Sequence, residues 1–411
     1  MTILPQQKNS RLFWAAGGFW LLIFLIISID VVRHPLKHTT MPTYRAASTQ
    51  WWAGQDPYSL DPHAGFLYFP QAAFLFTPFN ALPFYAGEIL WRAATFGLFA
   101  YALVRLNGFF LSTNRDAVGK TFLILSLLAV PSAFASLRNA QFDLPLAALI
   151  VLAAAEIASA RWTAATVWLC LALALKPLAV VPLLLFGALY WKLIPRIAIG
   201  LLIVIALPFL HWNPAFVAHE YVRCFDTLAW ASKGDEPKYS DLAALLSHFG
   251  YDAPDLLKTI VRVLFALIYF GLGAAALRRL SHFEAAWAVG ALSADYLMLF
   301  NPRTETCSYV FLGPFVASLA LFYAPQPGRK WLSRGLGFAA LGFACDAFPK
   351  IGHLSIHDAT DRWFKPLLAL FFLPILIQFI FEMRSRADQA SLRDAVLLGN
   401  KPGDKSPGYS R

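Results

Sequence analysis

Charged side chains are scarce in this chain, and their scarcity excludes a soluble fold. Asp, Glu, Lys and Arg make up 14% of its 411 residues, whereas a soluble domain carries about 25%. Too little charge remains to cover the surface of soluble domains. Cysteine is scarce as well: there are four, with no CxxC pair and no Cys/His pair at ligand spacing. That absence argues against a zinc site.

Long apolar stretches are what the sequence has instead, and 58% of its residues are hydrophobic. A helix of about 20 apolar residues crosses the hydrocarbon core of a bilayer. The first stretch, residues 12–32, contains one charged residue, Asp30. We predict an all-α polytopic membrane protein with about 12 transmembrane helices. The predicted spans are 12–33, 84–106, 119–137, 142–160, 162–176, 177–193, 196–212, 258–279, 284–301, 306–323, 334–349 and 365–383.

Basic residues orient the predicted bundle, because short cytoplasmic connections carry an excess of Lys and Arg. With the amino terminus inside, the short inner connections contain Arg105, Arg115, Lys120, Arg161, Lys192, Arg196, Arg278, Arg279, Arg329, Lys330 and Arg334. Both termini are then cytoplasmic, residues 1–383 form one transmembrane domain, and residues 384–411 form a partly disordered cytoplasmic tail. The net charge of +10 reflects these segments, so we expect no nucleic-acid partner.

Two long loops, 34–83 and 213–257, lie on the outer side in this topology. The first contains segments of helical propensity, at 43–53 and from Pro70 onward, which we predict to be interfacial helices. Trp51 and Trp52 suit the headgroup layer of a membrane. Packing of this loop on the bundle is the structural alternative.

Polar residues cluster at the outer ends of the predicted spans. Asn139 and Asp143 share a helix face if a span begins there, although a helix cap would explain them too. Lys176 interrupts an apolar run before Pro177, where an ionisable group marks a site unless it snorkels to the interface. Arg303 and Glu305 follow another span. Together these groups suit a ligand with a phosphate head and an apolar tail.

Asp295 lies inside an apolar span, and we expect it to pair with a buried base or a tyrosine. This role is structural. It therefore stays outside the candidate site.

A set of short motifs between Tyr44 and Tyr309 resembles glycosyltransferase family 87, whose members have the GT-C fold. The motifs are Tyr44 with Ala46-Ala47, Gly54-Gln55-Asp56-Pro57-Tyr58, Tyr68-Phe69-Pro70, Pro78, Pro83, Trp91, Asn139-Ala140-Gln141-Phe142-Asp143 and Lys176-Pro177. The resemblance implies transfer of a sugar from a polyprenyl-phosphate donor to a lipid or glycan acceptor. The sugar would be a hexose such as mannose, or a pentose such as arabinose. The resemblance also implies catalysis at the periplasmic face of a bacterial inner membrane, with no metal or other cofactor.

The sequence departs from the family pattern where the family has its acid and base. Thr40 stands at a usual aspartate position, and Asn301-Pro302 replaces a Ser-Pro turn. Glu305 is near a Trp position and Cys307 near a His position. The usual acid and base are therefore missing or relocated.

We predict an inverting transfer, in which a carboxylate deprotonates the acceptor and cations stabilise the leaving phosphate. The candidate catalytic residues are Glu305, Asp56 and Asp143. The candidate substrate-binding residues are Tyr44, Arg45, Tyr58, Tyr68, Arg138, Asn139, Gln141, Lys176 and Arg303. A flippase of a lipid-linked sugar and a catalytically inactive relative are the alternatives, and no pore motif supports an ion channel.

Overall fold

The fold is described from a computed structural model, which covers residues 7–399 apart from 38, 60–64, 112–117, 232–238, 346–349, 352–353, 356–359 and 361. Within these ranges, the side chains of 7–10, 59, 350–351, 354–355 and 383–399 are not described. Arg115 and the end of the predicted disordered tail lie outside the described residues.

The described chain is almost entirely helical. Its α-helices are α1 (Gln7–Arg33), α2 (Met41–Ala53), α3 (Pro70–Leu75), α4 (Thr77–Asn80), α5 (Phe84–Leu106), α6 (Val118–Arg138), α7 (Asp143–Ala158), α8 (Trp162–Leu175), α9 (Val180–Leu189), α10 (Ile194–Ala206), α11 (Pro214–Ala231), α12 (Leu242–His248), α13 (Asp255–Arg279), α14 (His282–Phe300), α15 (Gly313–Tyr323), α16 (Lys330–Gly342) and α17 (Phe364–Gly399). A π-helical turn, Asn107–Leu111, extends α5. Single 3-10 turns cover Pro57–Ser59, Pro177–Ala179, Trp191–Leu193, Leu207–Leu210 and Thr306–Phe311. A two-residue antiparallel pair, β1 (Lys350–Ile351) with β2 (Leu354–Ser355), connects two of the helices. The predicted all-α architecture is confirmed.

Seven helical segments of the described chain are long and apolar enough to cross a membrane. They are Arg11–Arg33, Phe84–Leu111, Val118–Arg138, Trp191–Leu210, Asp255–Arg279, His282–Phe300 and Phe364–Glu382. A helical, multi-pass membrane protein is thus confirmed. The larger number of spans stays a prediction, because Trp162–Leu175, Pro177–Leu189 and Gly313–Tyr323 are apolar but have only 10–17 residues.

Helix α7 forms the centre of the bundle. All 16 of its residues are buried, and it packs against α5, α8 and α14. A helix that is apolar on every side belongs inside a bundle, and small residues let neighbouring helices approach closely. The alanine-rich sequence of α7 therefore explains its position, although it is shorter than a full span.

The predicted helices of the first outer loop are present as α2, α3 and α4, and their interfacial placement stays a prediction. Trp51 does not lie in a headgroup layer: its side chain is fully buried. It packs against the rings of His211 and Phe216, with centroids 5.3 Å away in each case. Trp52 is 39% exposed. The two outer loops are therefore held together by aromatic packing.

Several helices begin or end at the same end of the bundle, and this arrangement positions the candidate site. Helix α6 ends and α7 begins beside Gln141, α8 ends before Lys176, and α14 ends before Asn301. The opposite ends of α8 and α14 also lie together, because the rings of Trp162 and His282 are 6.2 Å apart.

Candidate active site

A cavity of about 490 Å³ lies where these helix ends meet the two outer loops. Its polar wall includes Thr39, Thr40, Thr43, Tyr44, Tyr68, Gln141, Lys176, Tyr239, Asn301, Arg303 and Glu305. Its apolar wall includes Leu67, Pro177, Leu178, Leu228 and Ala231. This volume lies within the range of about 300–1,000 Å³ that is typical of small-molecule sites.

Lys176 forms an ion pair with Asp143 at the cavity wall. Pro177 disfavours helical backbone at the residue before it, and Lys176 is extended, with φ −149° and ψ 131°. Asp143 is fully buried in the first turn of α7, where the helix dipole favours a negative charge. The Ser308 hydroxyl donates to Asp143 Oδ2 over 2.7 Å. Each carboxylate oxygen of Asp143 thus has a partner, and Asp143 lies behind Lys176, which lines the cavity.

The ammonium group of Lys176 retains capacity for a ligand. It carries three N–H donors, and Asp143 is its hydrogen-bond acceptor among the described residues. An ammonium group acts on a phosphate as a compact point charge. The remaining donors of Lys176 can therefore bind an anion in the cavity.

Glu305 is held at the cavity by two neighbours. Gln141 Nε2 donates to Glu305 Oε2 over 2.8 Å. The Cys307 thiol lies 2.7 Å from Gln141 Oε1 and 3.4 Å from Glu305 Oε2. These contacts fix the carboxylate without an ion pair among the described residues, so it can accept a proton.

Arg303 contributes a second cation. Its Nε donates to the hydroxyl of Tyr239, and its guanidinium carbon is 5.2 Å from the centre of that ring. Its Nη1 is buried without a hydrogen-bond acceptor in the described part of the chain. The guanidinium can therefore offer further donors to a ligand.

Tyr44 and Tyr68 form an aromatic pair with their hydroxyl oxygens 3.1 Å apart. Burial raises the pKa of both phenols. They therefore remain neutral. One hydroxyl donates to the other, which leaves the pair one O–H donor for a ligand at the cavity wall.

Thr40 is hydrogen-bonded to the backbone of the turn after α6. Both its amide and its hydroxyl donate to the carbonyl oxygen of Asn139, at 2.9 Å each. This pairing closes one corner of the cavity. Asn139 thus acts here through its backbone, and its side chain is not among the lining groups.

Arg45, a predicted substrate-binding residue, is not among the residues that line the cavity. Its guanidinium donates to the carbonyl oxygens of Phe79, Asn80 and Leu82 over 3.0–3.1 Å. The carbonyls of Phe79 and Asn80 belong to the last turn of α4, and that of Leu82 follows it. A cation satisfies carbonyls at the end of a helix well. Arg45 therefore anchors the first outer loop.

Asp56 and Tyr58 also lie outside the cavity wall. Asp56 accepts a hydrogen bond from the amide of Tyr58 over 2.7 Å and pairs with Arg223 Nε at 3.0 Å. The Tyr58 hydroxyl donates to the carbonyl of Tyr68 over 2.8 Å. Asp56, a predicted catalytic residue, thus closes a turn and joins the two outer loops. The hydrogen bond from Tyr58 holds the backbone of Tyr68, whose side chain lines the cavity.

Arg138 is directed to another partner. Its Nε lies 3.2 Å from Asp30 Oδ2, an ion pair between α6 and α1. Arg138, a predicted substrate-binding residue, is not among the residues that line the cavity. Asp30 is the charged residue inside the first apolar stretch, where its carboxylate needs a cationic partner. Asp295, as expected, pairs with a tyrosine, Tyr269.

Several groups at the site carried no usable sequence signal. Ser308 follows Cys307 in an apolar run, and Tyr239 lies in a loop without a motif. Thr39 and Thr43 resemble ordinary residues at a helix start. Nothing in their spacing indicates that the fold brings them to one cavity.

The family model of glycosyltransferase family 87 matches residues 66–302, more than half of the chain. The chain belongs to glycosyltransferase family 87. The predicted resemblance is thus confirmed, and this member of family 87 is a membrane glycosyltransferase. The match includes Gln141, Asp143 and Lys176, and it ends just before Arg303 and Glu305. No curated protein and no solved structure matches the chain.

Proposed function

We propose that this glycosyltransferase moves a sugar from a polyprenyl-phosphate donor to a hydroxyl of a lipid or glycan acceptor. The observation that carries the proposal is the Lys176 ammonium, which has spare donors in a cavity that also contains Arg303 and Glu305. A donor of this kind has a polar sugar phosphate and an apolar chain. The polar wall and the wall of Leu67, Leu178 and Leu228 match these two parts.

The reaction is an inverting displacement at the anomeric carbon. The acceptor oxygen forms the new bond while the bond to the phosphate oxygen breaks, and the phosphate leaves with that electron pair. Glu305 takes the proton of the acceptor hydroxyl. Lys176 and Arg303 stabilise the charge that develops on the leaving phosphate.

Glu305 is the preferred base among the three predicted carboxylates. Asp143 already accepts hydrogen bonds from Lys176 and Ser308, and Asp56 pairs with Arg223 away from the cavity wall. Glu305 lines the cavity. In this scheme, Gln141 and Cys307 orient Glu305, and the Tyr44–Tyr68 pair donates its one free O–H to a hydroxyl of the sugar.

The charge pattern supports catalysis at the outer, periplasmic face of a bacterial inner membrane. Arg161, Lys192 and Arg278 lie at the helix ends opposite the cavity, and basic connections favour the cytoplasm. In this orientation both termini are cytoplasmic. The sugar would be a hexose such as mannose, or a pentose.

Substitution of Glu305 by glutamine tests the mechanism. We expect transfer of labelled mannose from polyprenyl phosphate mannose to membrane-lipid acceptors to fall about 100-fold or more, because the base is lost. Binding of the donor should persist, since Lys176 and Arg303 remain. Glu284→Gln is the matched control: Glu284 belongs to a capping box at the start of α14, where glutamine is also suitable.

Two outcomes would overturn the proposal. Full transfer by Glu305→Gln, with loss of transfer in Asp56→Asn, would move the base out of the cavity. Scrambling of the lipid-linked sugar in liposomes, without any transfer, would make the protein a flippase.

A further inference from the structure

A second cavity, of about 400 Å³, lies at the end of the bundle opposite the candidate active site. It is bounded by the start of α8, the turn after α9, the end of α13 and the start of α14. Its lining includes Trp162, Tyr190, Trp191, Lys192, His282 and Leu277. Helix α14 runs from this cavity to the candidate active site, and its 19 residues span about 28 Å. The second cavity therefore faces the other side of the membrane.

Lys192 supplies the positive charge of this cavity. Its ammonium nitrogen lies 5.5 Å from the centre of the Trp162 ring, a cation–π contact. Over the ranges that the structure describes, no carboxylate forms an ion pair with it. The charge of Lys192 is therefore available to an anion.

Tyr190 supplies a donor without a partner. Its side chain lines the cavity and is 7% exposed, and its hydroxyl has no hydrogen-bond partner among the described residues. Buried hydroxyls in folded proteins normally have a partner, because an unpaired one costs free energy. A ligand oxygen in the cavity would satisfy it after a small shift of the ring.

The backbone adds to the positive character of the cavity. Helix α8 begins at Trp162 without a side-chain cap, so its first amide groups and its dipole favour an anion. His282 donates Nε2–H to the carbonyl of Ile157 over 2.8 Å, which leaves Nδ1 for another partner.

The surroundings indicate that the anion belongs to a membrane lipid. Trp191 is 72% exposed, and tryptophan at the end of an apolar helix is typical of the membrane interface. Leu189, Leu277 and Leu280 form an apolar side of the same cavity. Basic pockets between transmembrane helices on the cytoplasmic side suit lipid phosphates.

We propose that this cavity binds the phosphate headgroup of an anionic phospholipid from the leaflet opposite the candidate active site, through Lys192, Tyr190 and the first amides of α8. The aromatic lining alone would also suit a quaternary ammonium headgroup. However, Lys192 already occupies a position over Trp162 and would repel a second cation.

Lipid retention by the purified full-length protein tests this proposal independently of sugar transfer. The protein is placed in phosphatidylcholine nanodiscs with increasing phosphatidylglycerol, and bound lipids are counted by native mass spectrometry. We expect retained phosphatidylglycerol in the wild type and about fivefold weaker binding in Lys192→Gln. Tyr190→Phe should weaken binding about threefold through loss of one hydrogen bond. Arg334→Gln is the control, because Arg334 is an exposed cation of α16 at the same end of the bundle.

Thermal unfolding of each variant confirms that the protein remains folded, and Tyr190→Phe keeps the test valid if Lys192→Gln does not fold. Equal retention of phosphatidylcholine, unaffected by Lys192→Gln, would assign the cavity to a choline headgroup and overturn the proposal. An equal loss of phosphatidylglycerol binding in Arg334→Gln would also overturn the proposal, because it would show that the lipid is attracted by the overall charge and not by this cavity. Displacement by millimolar inorganic phosphate would assign the site to a soluble phosphate instead of a lipid.

Discussion

Two ion pairs flank the wall of the candidate active site, and they differ in their access to the cavity. In the closed pair, Glu88–Arg92, both side chains are 0% exposed. In the open pair, Asp143–Lys176, the carboxylate is 0% exposed but the lysine is 19% exposed and lines the cavity. Both pairs lie among apolar helices, where each charge requires a partner.

The difference between the pairs separates a structural role from a binding role. Arg92 donates to the carbonyls of Leu137 and Arg138 and to the hydroxyl of Thr39, over 2.7–3.3 Å. It joins α5 to the end of α6 and to the segment before α2, and its donors are used within the protein. Lys176 retains donors. An ion pair at a membrane protein's core therefore indicates a site when one member keeps unused hydrogen-bonding capacity at a cavity.

Replacement of Arg92 by methionine should give the largest effect. Glu88 would remain as a buried carboxylate without its cation, so we expect the free energy of unfolding to fall by about 3–5 kcal/mol. Denaturant titration in detergent, followed by tryptophan fluorescence, measures the change. The double variant Glu88→Leu/Arg92→Met removes both charges and should be more stable than the single variant. Wild-type stability of Arg92→Met would show that the closed pair does not support the wall.

Replacement of the open pair by amides, in Asp143→Asn/Lys176→Gln, should affect transfer more than folding. Amides can keep a hydrogen bond in this place, whereas the cation that stabilises the leaving phosphate is lost. We expect transfer of mannose from polyprenyl phosphate mannose to fall about 100-fold. Unchanged transfer by the folded double variant would mean that Lys176 does not hold the phosphate.

The smallest effect concerns two alanines with left-handed backbone, one at each end of α7. Ala140, with φ 57°, lies in the turn between the two ion pairs, and Ala160, with φ 55°, lies in the turn at the opposite end. This conformation is strained for any residue with a Cβ. Substitution of either by glycine should raise the free energy of unfolding by about 0.5–1 kcal/mol.

The rates of sugar transfer by the same two glycine variants show whether the two turns of α7 have different roles. Ala160→Gly should transfer sugar at the wild-type rate, because its turn is remote from the cavity. Arg92 holds the carbonyls at the end of α6, and the turn at Ala140 connects this end to Gln141 and Asp143. We therefore expect Ala140→Gly to raise KM. Destabilisation by either variant would show that the alanine Cβ makes packing contacts that outweigh the strain.

Most of the fold was accessible to sequence analysis, because apolar runs have no stable place outside a membrane or a core. Long spans such as α13 follow directly from length and composition. The same criteria do not decide whether a shorter helix such as α7 crosses the bilayer. Helix α7 has 16 residues and is stabilised by burial inside the bundle. Trp51 shows a similar limit: an aromatic residue near an interface and one packed under a loop have the same sequence signature.

The candidate site was only partly predictable. Lys176 and Glu305 were identified because an ionisable group beside an apolar run is costly and needs a reason. Asp56 and Arg45 were selected as a carboxylate and a cation of the first outer loop. Arg223 pairs with Asp56, and local carbonyls accept the hydrogen bonds of Arg45. Ser308 and Tyr239 gave no signal, since nothing in a single sequence reveals which loops meet.

Sequence analysis alone predicted a helical bundle that spans a membrane and a resemblance to family 87. It did so because hydrophobic length and charge placement are properties of local segments. The packing of distant segments determines which charged residues share a cavity and which pair with residues far along the chain. That choice depends on hydrogen-bond geometry between segments more than 100 residues apart, such as Gln141 with Glu305 and Asp56 with Arg223, and no local pattern encodes it.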